Sequence, residues 1–160
     1  MLQAFGRFHL LCVLRHGPFG AQPFNQQLAD AVHGAGLISS SQGWYEGPPV
    51  MIARNDYSLG LINGDIGIAW RMPGPDALMR LYVVFAYTSA GEHPASTAGG
   101  DNTPIRMVLP SRLGELDTVY AMSVHKSQGL QFEQVALVLP NTGSNCLTRE
   151  MLYSGITRAQ

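Results

Sequence analysis

The sequence predicts an α/β fold interrupted by a small β-rich insertion. Two observations carry this prediction. Nearly unbroken apolar runs, typical of buried parallel strands, occupy residues 8–14 and 135–139, near the two ends of the 160-residue chain. Between them, the sequence has only short strand patterns separated by tight-turn signals.

The first run predicts a strand that ends at His16-Gly17-Pro18 and leads into a helix. Pro23 suits the first turn of that helix, and Gly34 and Gly36 are expected to stop it. The apolar positions of the helix recur at i, i+4 and i+8: Phe24, Leu28 and Val32.

The middle of the chain predicts short strands that form a small barrel or a curled sheet. The candidates are residues 50–54, 66–70, 81–87 and 105–109. Asn63-Gly64-Asp65 predicts a tight turn between two apolar segments, 59–62 and 66–69. Residues 90–103, rich in Gly, Ala, Ser and Thr, are expected to form a surface loop.

The last part of the chain returns to the α/β pattern. We expect a strand at 118–124, a turn at 125–129 and a second strand at 135–139 that Pro140 stops. Thr148 is a suitable N-cap for a helix over residues 149–155.

Composition excludes several classes of protein. Hydrophobic residues make up 46% of the chain, which is enough for a packed core, and the net charge of -1 excludes a strongly basic, free-standing nucleic-acid binder. Cys12 and Cys146 form no CxxC motif, which excludes a disulfide scaffold and a zinc finger. No apolar run reaches about 18 residues, and no signal-peptide cleavage site is evident. We expect a cytoplasmic chain with no membrane partner.

Polar side chains cluster directly after the strand predicted at 118–124. They are Ser123, His125, Lys126, Ser127 and Gln128, and Gly129 closes the segment. Ligands of α/β sheets bind at the carboxyl ends of strands, and hydrogen-bonding groups there suit phosphates and sugars. A solvated turn between two elements is the alternative interpretation.

Arg158 follows the last helical pattern, where an arginine can reach a phosphate across a cleft, because it stays charged and binds in a bidentate manner. The alternative is a simple partner for the C-terminal helix dipole. Lys126 is the only lysine, and His125 precedes it, so the chain has no Walker A Gly-Lys-Ser/Thr sequence. We therefore expect the isolated chain to be inactive in ATP hydrolysis.

Two segments together resemble motifs V and VI of superfamily 1 helicases: residues 123–132 and 147–159. Residues 44–56 and 61–67, with 11–20 upstream, are similar to the C-terminal region of the RecD family, the alpha subunits of exodeoxyribonuclease V. The resemblance covers almost the whole chain except about 72–102.

The resemblance implies a second RecA-like helicase domain, formed by residues 1–45 and 114–160 (motifs IV, V and VI). It also implies an inserted β-barrel, similar to Src-homology barrels, at 46–113. The family moves 5′ to 3′ on single-stranded DNA in recombination and double-strand break repair. Its ATP and Mg²⁺ lie between two RecA-like domains, of which the first is absent here, so we expect a fragment with no tightly bound cofactor. The implied partners are single-stranded DNA, the beta and gamma subunits of exodeoxyribonuclease V, and the missing N-terminal RecA-like domain.

The resemblance also assigns roles to residues. Arg158 matches the motif VI arginine that contacts the γ-phosphate, as an arginine finger, and Arg15 falls where a motif IV arginine is expected. Gln128 and Gly129 match the part of motif V at the nucleotide cleft. Ser123, His125 and Lys126 match the side of motif V that contacts DNA. Lys126 is a candidate contact for either the DNA or the nucleotide.

The chain departs from the family pattern at two positions. Gln131 stands where the family has a glutamate that accepts a hydrogen bond from the nucleotide sugar. An amide still accepts, but without the charge-assisted bond. Gln160 stands where a basic residue is common.

Two other functions remain open. The first is a non-catalytic DNA-binding or protein-docking module in which the β insertion makes the contacts. The second is a metal-dependent nuclease, which needs a carboxylate cluster that Asp56 and Asp65 do not recognisably form. His9 and His33 have no metal-ligand spacing and are expected to be structural or exposed.

Overall fold

The computed structural model describes residues 5–86, 105–141 and 147–160. The loop predicted at 90–103 lies outside these residues. The described residues form two compact units: residues up to Leu28 with Tyr120–Gln160, and residues from Ala29 to Val119. The domain limits predicted from the sequence, 1–45 with 114–160 and 46–113, remain a prediction.

The described elements follow in chain order. The strands are β1 (Phe8–Cys12), β2 (Pro49–Ile52), β3 (Ile66–Pro73), β4 (Met79–Ala86), β5 (Ile105–Val108), β6 (Leu116–Thr118), β7 (Ala121–Ser123) and β8 (Gln134–Val138). The helices are α1 (Ala21–Gly34) and α2 (Arg149–Ile156), with a short 3-10 helix at Pro110–Arg112. Within the described residues, no helix is long and apolar enough to cross a membrane.

The first unit contains a three-stranded sheet in the order β7-β1-β8. Both pairings are parallel, as the apolar runs predict, and Cys12 lies opposite both Ser123 and Val138. The carboxyl ends of the three strands therefore meet at one edge of the sheet, which is where ligands of α/β folds bind.

Helices pack on both faces of this sheet because side chains of a strand alternate between faces. Phe24 and Leu28 of α1 pack on the face that carries Cys12. On the other face, Gly155 of α2 is so close to β8 that an added Cβ would lie 3.0 Å from Leu137 Cδ1. α1 ends at Gly34, and Gly36 follows with a φ of +70°, as the glycine stop predicts.

The second unit contains a five-stranded antiparallel sheet in the order β5-β4-β3-β2-β6. Its core is a cluster of buried side chains: Val50, Ile52, Leu61, Ala69, Val83, Phe85 and Val108. β5 and β6 lie at the two edges, and no described pairing joins them. The predicted short strands are thus confirmed, whereas the predicted barrel is not.

The single strand predicted at 118–124 is wrong. The chain forms two strands there, and they belong to different sheets. Val119 N donates to Pro49 O (3.0 Å) in the second unit, whereas Ala121 pairs with Leu10 in the first. A continuous apolar pattern does not reveal a change of sheet, because burial looks the same on either side of the bend at Tyr120.

The turn predicted at Asn63-Gly64-Asp65 is confirmed. Gly64 has a φ of +97°, and the Asp65 carboxylate accepts a hydrogen bond from Ile62 N (2.8 Å). The segment at 59–62 is not a strand, however, so the turn does not join a hairpin. β3 pairs with β2 and β4 instead.

Candidate nucleotide and DNA site

The loop after β1 holds Arg15 at the carboxyl edge of the parallel sheet. Its backbone is tied to the start of α1: Ala21 N donates to Leu14 O and Gln22 N donates to Arg15 O, both at 3.0 Å. Gly20 packs directly against the backbone of this loop, where only glycine fits, because a Cβ there would lie 2.6 Å from the carbonyl carbon and oxygen of His16. The Arg15 side chain is exposed.

The turn after β7 is built by its own hydrogen bonds. Ser123 O accepts from Lys126 N (2.9 Å) and Ser127 N (3.1 Å), and the fully buried Ser127 hydroxyl donates to Val124 O (2.8 Å). Gly129 leaves the turn with a φ of +85°, a conformation that favours glycine. The polar segment predicted from the sequence is therefore a rigid turn.

The side chains of this turn differ in exposure. His125, Gln128 and Gly129 are exposed, and Lys126 is half-buried. Ser123 is only 8% exposed, and its hydroxyl lies 3.4 Å from Lys126 N, from which it accepts. The turn thus presents His125, Lys126 and Gln128 to a ligand more openly than Ser123.

α2 begins where the sequence predicts. The Thr148 hydroxyl accepts a hydrogen bond from Met151 N (3.2 Å), which satisfies one of the free N–H groups of the first turn. Glu150 in that turn accepts from its own backbone N–H and from the Thr148 hydroxyl, and these bonds lower the pKa of its carboxyl. The cap fixes the start of the helix whose far end leads to Arg158.

Arg158 is tied to the turn after β7. Its Nε donates to Ser154 O (3.1 Å), and its Nη1 donates to Leu130 O (3.4 Å). Its Nη2 makes no hydrogen bond to a described residue. The structure therefore joins the two segments that resemble motifs V and VI through this guanidinium, a contact that the sequence did not predict.

The two residues that depart from the family pattern contact each other. Gln160 Nε2 donates to Gln131 Oε1 (2.9 Å). Their backbones are aligned by a short parallel bridge, in which Phe132 N donates to Arg158 O (2.8 Å) and Gln160 N donates to Phe132 O (2.9 Å). Gln131 is thus oriented by a neutral amide pair beside Arg158, and its oxygen already accepts one hydrogen bond.

An aromatic cluster that sequence reasoning missed lies behind this bridge. His9 is 2% exposed, and its ring stacks on Phe132 with centroids 4.7 Å apart and planes at 16°. Burial lowers the pKa of His9 to about 4, so its ring is neutral at pH 7. His9 lies within the first apolar run of the sequence, and such runs are typical of strands buried on both faces, which was the available signal.

The second unit carries another surface that the sequence did not indicate. A groove of about 600 Å³ is lined by Tyr57, Arg106 and Arg112, among others. The Arg106 guanidinium donates to Leu59 O. The Asp56 carboxylate accepts from the hydroxyl and backbone N–H of Ser58 and from Leu59 N, two residues that line the groove, and these bonds lower the pKa of its carboxyl.

Asp56 and Asp65 both serve turns. Among the described residues, no group of three or more His, Cys, Asp or Glu side chains is placed to hold a metal ion.

Comparison with known proteins gives this geometry a family context. Residues 118–160, which contain the turn, α2 and Arg158, match the UvrD-like helicase C-terminal domain. The RecBCD enzyme subunit RecD of Mycobacterium tuberculosis is 33% identical over 99% of this chain and 24% of its own length. The RecD subunit of Haemophilus influenzae is 30% identical over 98% of this chain and 21% of its own length.

The ATP-dependent RecD2 DNA helicase of Deinococcus radiodurans is 27% identical over 97% of this chain and 19% of its own length. A crystal structure of Pif1 helicase from Bacteroides in complex with ADP-AlF3 and ssDNA has a TM-score of 0.50 at 16% identity, over 97% of this chain and 38% of that chain. This likeness concerns the fold alone.

The resemblance predicted from the motifs is confirmed: the chain matches the C-terminal region of RecD. It spans about a quarter of the length of the RecD relatives.

Proposed function

We propose that this chain is the C-terminal motor portion of an ATP-dependent DNA helicase of the RecD type. The observation that carries the proposal is the contact between motifs V and VI. The family match at 118–160 contains both the polar turn and Arg158, and the Arg158 guanidinium donates to Leu130 at the end of that turn. A docking module has no need of this connection.

Arg158 is proposed as the arginine finger, and Arg15 as a second phosphate contact at the same sheet edge. A fixed positive charge offsets the charge that develops on the transferred phosphoryl group. Contact between the phosphate and Nη2 of Arg158 would leave the bond from Nη1 to Leu130 O in place. The guanidinium would then link the nucleotide to the turn that carries His125 and Lys126, the proposed DNA contacts with Ser123.

The residues of this chain fit only part of a site for ATP and Mg²⁺. Gln128, Gly129 and Gln131 are proposed to border the ATP, which supplies the free energy for movement when bound. The amide of Gln131 would orient the sugar, but its oxygen is shared with Gln160. Mg²⁺ does not fit the described residues, since they offer no carboxylate cluster. Its ligands and the P-loop would come from a first RecA-like domain.

The wider assignments are part of the same proposal. They are a second RecA-like domain, a β-barrel completed from the antiparallel sheet of the second unit, 5′ to 3′ movement, cytoplasmic location, and association with single-stranded DNA and the beta and gamma subunits. The names of the RecD relatives support the helicase type and the association with partner subunits, and the likeness to Pif1 supports the fold. The barrel, the direction of movement and the location follow from the family resemblance alone. The groove at Tyr57, Arg106 and Arg112 supports the second candidate, a non-catalytic DNA-binding or docking module.

The test joins this sequence to a P-loop RecA-like domain and measures DNA-stimulated ATP hydrolysis. We expect hydrolysis that requires both parts, whereas this chain alone hydrolyses no ATP. Hydrolysis that is indifferent to Arg158→Ala, combined with DNA binding that depends on Arg112, would favour the docking module.

A further inference from the structure

Asn25 of α1 makes a two-way hydrogen-bonded pair with the backbone of β7. Its Nδ2 donates to Ala121 O (2.7 Å), and its Oδ1 accepts from Ala121 N (3.0 Å). The same Nδ2 also donates to Ala21 O (2.9 Å). A side-chain amide carries the donor and acceptor of a peptide group, so Asn25 pairs with β7 as a neighbouring strand would.

β7 needs this partner because of its place in the sheet. It is only three residues long and lies at the edge of the described sheet, with β1 on its other side. An edge strand leaves backbone groups unpaired, and a buried unpaired group is costly. Ala121 is 1% exposed, so its N–H and C=O have no access to water.

The position of Asn25 connects two loops of the proposed site. It lies one helical turn after Ala21 and Gln22, whose N–H groups hold the loop of Arg15. Ala121 lies two residues before Ser123, where the turn with His125 and Lys126 begins. One amide therefore fixes the ends of β1 and β7 relative to each other.

We propose that Asn25 is a positioning residue, which holds the turn after β7 in register with the Arg15 loop so that His125 and Lys126 of the turn contact the phosphates of single-stranded DNA. The inference rests on the proposed function. Asn25 itself contacts no ligand in this scheme.

The test is Asn25→Asp in this chain. The substitution keeps the shape of the side chain and places an oxygen where Nδ2 faced two carbonyl oxygens. The carbonyl oxygens of Ala21 and Ala121 repel an ionised carboxylate at this position. A protonated carboxyl instead donates to one of these carbonyl oxygens and accepts from Ala121 N. We expect affinity for labelled oligo(dT), read by fluorescence anisotropy, to fall about 10-fold at pH 8 and to recover towards wild type at about pH 5.

Wild type measured at the same pH values accounts for the other titratable and charged groups nearby. On the elements packed here these are Asp30 and His33 of α1, His9 and Cys12 of β1, Arg15 and His16 of the loop after β1, and His125 and Lys126 of the turn. Gln27→Glu is the matched control, because it makes the same charge change at an exposed position of the same helix. It should bind like wild type at both pH values.

Hydrogen exchange separates positioning from general loss of stability. In Asn25→Asp, or in the milder Asn25→Ser if the first variant does not fold, exchange should rise at the amides of Ala121, Lys126 and Ser127 and stay unchanged in β3 and β4. A uniform rise, or unchanged affinity and exchange in a folded variant, would overturn the proposal. If wild type bound no DNA at all, the proposed function would fail, while a local rise at these amides would still support the positioning role.

Discussion

Substitution of Gly20 by alanine should displace the backbone of the Arg15 loop and destabilise the fold. A Cβ at Gly20 would lie 2.6 Å from the carbonyl carbon and oxygen of His16 and 2.7 Å from Arg15 C. All three are backbone atoms, so no side-chain rotation relieves the contact and the loop itself must move. Overpacking of this kind costs about 1–3 kcal/mol, against which alanine gains about 0.4–1 kcal/mol by restricting the unfolded chain.

We therefore expect Gly20→Ala to lower the free energy of unfolding by about 1–2 kcal/mol, or the melting temperature by about 2–8 °C. Gly34→Ala is the matched control. Apart from its chain neighbours and the backbone of its own helix, nothing lies within 4 Å of a Cβ placed there, and the residue ends a helix without a positive φ. That variant should be unchanged or more stable, by about 0.4–1 kcal/mol.

Urea unfolding followed by circular dichroism measures both variants against wild type. If Gly20→Ala is as stable as Gly34→Ala, the loop is not closed as described, and the argument that it fixes Arg15 fails. If Gly20→Ala is destabilised, its effect on the phosphate contact of Arg15 can be read in the joined protein as a loss of ATP hydrolysis.

Three further outcomes are expected. Burial lowers the pKa of His9 from 6.5 to about 4, so as the pH falls the unfolded chain binds a proton on His9 before the folded chain does. The free energy of unfolding should therefore fall by up to roughly 3 kcal/mol between pH 6.5 and about 4. In urea titrations His9→Phe should remove this pH dependence, and the same pH dependence in wild type and variant would contradict the assignment. In the protein joined to a P-loop domain, Arg158→Ala should lower kcat for ATP hydrolysis about 10³-fold, and Arg158→Lys should rescue it poorly. The loss of its hydrogen bonds to Ser154 O and Leu130 O should lower the melting temperature by only about 2–8 °C. A lower melting temperature with unchanged kcat would indicate a purely structural role. DNA binding by this chain should be weak and salt-sensitive given its net charge of -1, and nanomolar affinity that survives about 200 mM salt would refute a phosphate-dominated contact.

The features that depend on local patterns could be predicted from the amino-acid sequence. The apolar run that contains β1 predicted a buried parallel strand, Thr148 predicted the start of α2, and Gly34 predicted the end of α1. The absence of a Walker A sequence follows from the single lysine. The order and spacing of the helicase motifs predicted the RecD resemblance. Apart from the order of the motifs, each of these signals lies within a few residues of the feature it specifies.

The contacts between residues that are far apart in the sequence are visible only in the three-dimensional structure. Asn25 pairs with Ala121, 96 residues away, and Arg158 reaches Leu130. Gln131 and Gln160 form one amide pair, although the sequence presents them as separate departures from the family. The sequence also did not show that residues 116–123 are divided between two sheets. Hydrogen-bond partners and sheet membership are set by the packing of elements, and a local pattern of burial or polarity is the same whichever partner the fold supplies.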